Sequence, residues 1–229
     1  MDLLKELKDE YIAKYSDRKL VFGEGRTDGG IMLIGEAPGG EEEKLGRPFV
    51  GKAGKNLDEF INLAGLKRED LYISNVVKFR PTGISQKTGK PINRTPNREE
   101  IEAFVPLLRA EINTYKPNLI VTLGNVPLKA VTGNNRLFIG DCHGKLIEQD
   151  GMRIYPLYHP ASVIYNRSLK NVYAADVKEI KKYIWGYLMG KIIVVGGGDI
   201  GLGETRKIDE FIVSQSRNKN PKLLIVPTA

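Results

Sequence analysis

Three short stretches of the chain are apolar almost throughout and stop abruptly: Ile31-Met-Leu-Ile34 before Gly35, Leu71-Tyr-Ile-Ser74 before Asn75, and Leu119-Ile-Val-Thr-Leu123 before Gly124. A strand with one wet face alternates apolar and polar residues. Strands without that alternation are covered on both faces, as in a parallel sheet between two layers of helices. The intervening segments supply such helices. Leu57, Phe60, Ile61 and Leu63-Ala64 keep helical spacing up to Gly65, and Asn97 with Glu100 three residues later caps a helix running to about Tyr115. Further helices are expected from Leu3 past Tyr11 and Ile12, from Asn125, and over roughly Leu169 to Trp185. Lys145–Glu148 and Arg153–Leu157 flank Asp150-Gly151, a hairpin signal. Strands alternating with helices predict an α/β layer architecture.

Glycines at 186 and 190 reset this pattern. Lys191–Val195, a glycine turn over Gly196–Gly201, a helix over Glu204–Ser216 and a strand at Leu223–Val226 make one further β–α–β unit. The expected division is therefore residues 1–188 and 189–229. A length of 229 residues permits one domain and a remainder.

Composition excludes several classes. No run of about 18 apolar residues is present, so no membrane span is expected. The first residues are mixed acidic and basic and do not read as a secretory signal, and a cytoplasmic location is expected. One cysteine, Cys142, allows neither an internal disulfide nor an all-cysteine metal cage. The net charge is +7, and its distribution says more than its size. From Val76 to Arg98 there are six basic residues and no acid; from Gly151 to Ala175 there are three and again no acid. Acid-free basic loops suit a phosphate-tracking surface, because lysine and arginine there release condensed counterions.

Three clusters fall where strands end, the usual place for a site in an open α/β sheet. Gly35-Glu36-Ala37-Pro38-Gly39-Gly40 follows the first strand and leads to Gly46-Arg47-Pro48-Phe49-Val50-Gly51. Ser74-Asn75 ends the second, and an asparagine amide offers the donor and acceptor that a base edge requires. Tyr158-His159-Pro160-Ala161 ends the Arg153–Leu157 strand. Taken alone, each cluster is more simply read as structural: a tight turn, a turn-forming asparagine and a histidine at a strand end.

Taken in order, GEAPG, GRPFVGKAG, SNVVKFRP with NRTP, LGNVPLKAVTG and YHPAS resemble the family-four uracil-DNA glycosylases, over about residues 20–185. The resemblance implies a three-layer α/β/α fold with a central four-stranded parallel sheet, and hydrolysis of deoxyuridine in DNA after base flipping. It implies that Phe49 stacks on the base and that Asn75 pairs with uracil N3–H and O4. His159 would hydrogen-bond O2 as the base leaves as an anion. Glu36, Ala37 and Pro38 would form the pocket turn, with Glu36 orienting or activating water, since position 37 carries no carboxylate. Lys78, Arg80, Arg94, Ser162 and Arg167 would contact DNA, with Ala161–Arg167 as the loop that enters the duplex. Alternative expectations are a catalytically weak DNA- or uracil-binding module, and a glycosylase shifted toward hypoxanthine or xanthine.

The family usually holds a four-cysteine iron–sulfur cluster. Here Phe79 and Phe104 stand at two ligand positions and the N-terminal pair is missing, so no cofactor is expected and an apolar plug is expected instead. Residues 190–229 resemble the opening of the peptidase E and cyanophycinase family, without its nucleophile or histidine, so no peptidase activity is expected. The expected partner is uracil-containing DNA. The chain is expected to be a monomer, with the C-terminal segment available for self-association.

Overall fold

A computed structural model describes residues 3–28, 30–166 and 168–188. The expected β–α–β unit at 190–229 and the site residue Arg167 lie outside the described residues. The account below concerns the compact unit that ends at Ile184.

Its centre is a six-stranded sheet. Four parallel strands form the middle, in the order β3 (Leu71–Asn75), β2 (Ile31–Gly35), β6 (Leu119–Leu123) and β8 (Met152–Leu157). Two antiparallel edge strands, β1 (Glu24–Gly25) beside β3 and β7 (Ile147–Gln149) beside β8, extend the expected four-stranded sheet to six. The turn between β7 and β8 uses positive φ at both Asp150 and Gly151, which suits the right-handed twist of the paired strands.

Side chains alternate across β2, β3 and β6, and each face meets its own helices. Ile31, Leu33, Leu71, Ile73 and Val121 pack with Leu57, Phe60 and Ile61 of α3 (Lys52–Leu63) and Val177 and Ile180 of α8 (Leu169–Leu188). Met32, Ile34, Tyr72 and Ile120 pack on the other face with Leu4 and Tyr11 of α1 (Leu3–Lys14) and Phe104, Leu107, Leu108 and Ile112 of α4 (Arg98–Tyr115), beside α5 (Asn125–Thr132). This is the three-layer arrangement that the family resemblance implies. The Asn97 cap also forms: Glu100 N–H donates to Asn97 Oδ1 at 2.8 Å, and Asn97 N–H to Glu100 Oε2 at 2.8 Å.

Three segments depart from the sequence expectation. The stretch from Phe79 to Asn97 contains a hairpin, β4 (Thr82–Ile84) paired with β5 (Pro91–Asn93). The turn after β2 folds into a short helix, α2 (Gly40–Leu45). Ala161–Asn166, expected as a loop, begins with α7 (Pro160–Tyr165), because Pro160 supplies a helical first residue and His159 caps it. A further short helix, α6 (Ile139–Cys142), precedes β7.

Positions 79 and 104 meet in an aromatic cluster. The Phe79 and Phe104 rings are 5.6 Å apart edge to face, and Phe104 lies 5.1 Å from Tyr11 and 5.0 Å from Tyr15. The Arg18 guanidinium covers Phe79 at 4.2 Å. This cluster joins α1, α4 and the start of the long loop. Phe104→Ala is expected to cost about 3–5 kcal/mol in denaturant unfolding, through lost burial and the cavity it leaves. A loss under about 1 kcal/mol would show that the cluster does not hold these elements together.

Candidate active site

The C-terminal ends of β2, β3 and β8 bring Glu36, Asn75 and His159 to one edge of the sheet, where successive connections run to opposite sides. Backbone hydrogen bonds join the first two turns: Val76 N–H donates to Gly35 O at 2.9 Å and Val77 N–H to Glu36 O at 3.1 Å.

Phe49 forms one wall. Its ring lies against Gly35 and Asn75, and a side chain at position 35 would collide with both. Phe49 has a φ of 52°, a conformation that costs a non-glycine residue roughly 1–3 kcal/mol. The buried carboxylate of Glu42 offsets that strain. It accepts from Gly39 N–H at 3.0 Å, Val50 N–H at 3.0 Å and Gly51 N–H at 2.8 Å, fastening the Phe49 loop to α2. Charge-assisted bonds of this kind are about twice as strong as neutral ones. Gly54 is needed on the other side, where a Cβ would strike the Phe49 carbonyl.

Asn75 is 2% exposed, and its Oδ1 is buried without a hydrogen-bond partner. A buried acceptor left unmade costs about 1–3 kcal/mol, so a ligand donor reaching it gains that amount. His159 sits across the Phe49 ring, 6.0 Å between centroids. Its Nδ1 accepts from Ala161 N–H at 3.1 Å, which leaves the proton on Nε2. Burial pushes its pKa down to about 4, only partly opposed by Glu42. At neutral pH the ring is therefore an uncharged Nε2–H donor. Glu36 is half-buried, and desolvation raises its carboxyl above the usual range, partly opposed by a hydrogen bond from Thr95. Ala37 is half-buried and Pro38 buried in the same turn.

One of the expected DNA-contacting cations needs correction, and the other two described are paired with carboxylates. Lys78 is fully buried and cannot reach a phosphate. Its ammonium donates to Glu111 Oε2 at 2.7 Å, Ser74 Oγ at 2.8 Å and the Asn75 carbonyl at 2.7 Å. Burial lowers its pKa, while Glu111 pulls the other way. Arg80 pairs with Glu43 at 3.2 Å and donates to Asn93 at 2.7 Å. Arg94 is held by both oxygens of Glu100, each at 2.7 Å. Ser162 is half-buried on α7. The loop has no acid of its own, but α2 and α4 supply the counter-charges.

Sequence reasoning missed Glu42, Thr95 and Glu111. Glu42 is one of three consecutive glutamates, and nothing local marks it as the buried one. The second histidine is separate from these groups: His143 Nδ1 pairs with Asp176 at 2.7 Å, and its ring packs on Tyr158 at 4.8 Å.

A four-thiolate iron–sulfur cluster does not fit this chain. Phenyl rings fill positions 79 and 104, and the single cysteine lies on α6, with its Sγ on Phe138 O at 3.1 Å. Among the described residues no group of three or more His, Cys, Asp or Glu is arranged to hold a metal ion. Nor is any helix among them long and apolar enough to cross a membrane.

An unpartnered asparagine acceptor, an aromatic wall and a neutral histidine thus meet at the strand tips of a mostly parallel α/β sheet. Residues 22–183 match the uracil DNA glycosylase superfamily, and the chain belongs to it. It is 39% identical over 168 residues to a type-4 uracil-DNA glycosylase of Thermotoga maritima, covering 72% of this chain and 83% of that one. It is 36% identical over 211 residues to the type-4 enzyme of Sulfurisphaera tokodaii, covering 83% and 92%. With that of Pyrobaculum aerophilum it shares 38% over 183 residues, covering 77% and 88%.

Removing one partner of the Lys78–Glu111 pair is expected to cost about 3–5 kcal/mol, whereas exchanging both for apolar residues is close to neutral. Denaturant unfolding of Lys78→Met and of Lys78→Met/Glu111→Leu checks this. Equal losses in the two proteins would contradict it.

Proposed function

We propose that this chain hydrolyses the N-glycosidic bond of deoxyuridine in DNA, releasing uracil and leaving an abasic site, without a metal or cluster. The observation that carries the reading is the orphaned Oδ1 of Asn75, buried beside Phe49 and across it from a neutral histidine donor. Uracil presents an N3–H to that acceptor and O4 to the Asn75 amide donor, with O2 available to His159 Nε2–H. Cytosine presents the opposite pattern at positions 3 and 4. A base that meets Asn75 leaves solvent entirely, which requires flipping it out of the stack.

As the glycosidic bond breaks, its electrons pass to the base, and negative charge gathers on O2. A fixed Nε2–H donor in a desolvated setting stabilises that charge without any change in its own protonation. Phe49 holds the ring plane. Water then adds to the sugar carbon, and Glu36, with its raised pKa and place on the β2 tip, takes the proton. The aromatic cluster at Phe79 and Phe104 does the structural work of joining α1, α4 and the loop behind Asn75.

Uracil release from single- and double-stranded oligonucleotides tests the proposal, with hypoxanthine and xanthine substrates in parallel. Release of uracil that falls about 100-fold or more in His159→Ala is expected. No release from either uracil substrate would overturn it, and preferential release of hypoxanthine or xanthine would replace the substrate. The pH dependence follows from the two shifts. His159 is already neutral above about 4, so it adds no step in the neutral range. Glu36 must be ionised, so the single-turnover rate should fall as pH drops through its raised pKa. Glu36→Gln should lower the rate about 100-fold and flatten that limb. An acid limb that persists in Glu36→Gln would remove Glu36 as the base.

A further inference from the structure

The β4–β5 hairpin has no role in either core. From Thr82 to Thr95 every residue is exposed except Gly83 and Ser85, which are half-buried. An isolated two-stranded ribbon is marginal in water. This one is braced at its base by two arginines. Arg80 links Asn93 to Glu43 of α2, while Arg94 donates to Thr82 O at 3.1 Å and is held by Glu100 of α4. The tip is closed by Ser85 N–H on Lys90 O at 3.0 Å and Gly89 N–H on Ser85 O at 2.8 Å. The ribbon is thus a built projection.

Its faces are unequal. Thr82 pairs with Asn93, Gly83 with Ile92 and Ile84 with Pro91, so Asn93 and Ile84 share one face and Ile92 lies on the other. Asn93 Nδ2 lies 3.2 Å from where a side chain at Gly39 would begin, so this face looks toward the turn that carries Glu36. Ile84 continues that face about 7 Å farther out. It is 67% exposed, and Ile92 is 47% exposed. Among the described residues Lys87 and Lys90, at the tip, have no carboxylate partner, in contrast to the other four basic residues of the stretch, Lys78, Arg80, Arg94 and Arg98.

We propose that this ribbon is a second DNA contact. Ile84 lies against sugar and base edges in a groove, and Lys87 and Lys90 lie on phosphates of the strand flanking the flipped nucleotide. The occupant follows from the chemistry. Two cations without a carboxylate partner beside an exposed branched aliphatic suit a polyanion whose stacked bases admit an apolar side chain as a wedge while lysines hold the flanking phosphates. This rests on the uracil-DNA reading for the direction in which the strand leaves the pocket.

The test compares wild type, Lys87→Ala/Lys90→Ala and Ile84→Ala. Binding to a long uracil-free duplex is measured against salt, and single-turnover release is measured on a long uracil duplex and on a short single strand ending about two nucleotides from the uracil. Each phosphate contact contributes about 0.9 to the slope of log K against log salt, so the double variant should lose about 2 in slope. Ile84→Ala should raise the half-saturating enzyme concentration on the long duplex five- to tenfold, with the maximal rate unchanged. Neither variant should differ from wild type on the short strand or in unfolding midpoint. An unchanged salt slope in the double variant overturns the proposal, as does equal impairment on short and long substrates. The binding measurement does not need turnover, so failure of the glycosylase reading is distinguishable from failure of the ribbon.

Discussion

Lys78 and Glu111 are both fully buried, and charges so placed cost several kcal/mol each unless their geometry returns that energy. Here it does so through a fixed set of partners. The ammonium reaches Glu111 on α4, Ser74 and the Asn75 carbonyl at the tip of β3, and the Lys78 carbonyl accepts from Val21 N–H at 2.6 Å. Tyr72 adds a second contact to the same carboxylate at 3.2 Å. A strand end that would otherwise fray is pinned from beneath. The next residue, Phe79, carries the chain into the aromatic cluster with Phe104, and Arg80 then braces the ribbon. The pair thus ties the tip of β3, which carries Asn75, to α4, and the aromatic cluster that follows it joins α1, α4 and the start of the long loop.

The site above it is assembled from rigid parts. Glu42 holds Phe49 in a conformation the residue does not favour alone, and Gly35 and Gly54 leave room for it. His159 spends its Nδ1 lone pair on capping α7, so the tautomer that serves the site is the one that folding requires. Burial then keeps the ring neutral. The same local interactions that end β8 and start α7 also fix the ring's tautomer, as the proposed role of an Nε2–H donor requires.

Much of the fold was legible because parallel strands covered on both faces leave nearly unbroken apolar runs, and because Asn97 with Glu100 is a capping pair visible at its spacing. The strand tips were legible for the same reason, whereas the roles expected of Glu36, Asn75 and His159 there came from the family resemblance. The counter-charges were not. Glu43, Glu100 and Glu111 come from helices distant in sequence from, or flanking, the acid-free loop, so a local count of charge could not show that Lys78, Arg80 and Arg94 are paired. Burial of Lys78 is set by α4 packing over the end of β3, and no local pattern encodes it. The ribbon escaped because both its strands are exposed and carry glycine or proline, so neither alternation nor an apolar run marks them. Helix α7 escaped because its cap is an imidazole, not one of the usual capping side chains.

The central claim is that the Asn75 amide reads the base edge from a buried position. The most direct measurement is single-turnover release of uracil and of cytosine from matched single-stranded oligonucleotides, by wild type and by Asn75→Asp. A site that satisfies buried polar groups with the correct base discriminates by about 10⁴-fold or more. The account predicts that wild type shows such a preference for uracil. In Asn75→Asp the carboxylate repels O4 and accepts from the cytosine amine, so the preference should collapse by at least two orders of magnitude, mainly through lost uracil release. A variant that keeps the wild-type preference would contradict the account, because Asn75 would then not be the group that reads the base.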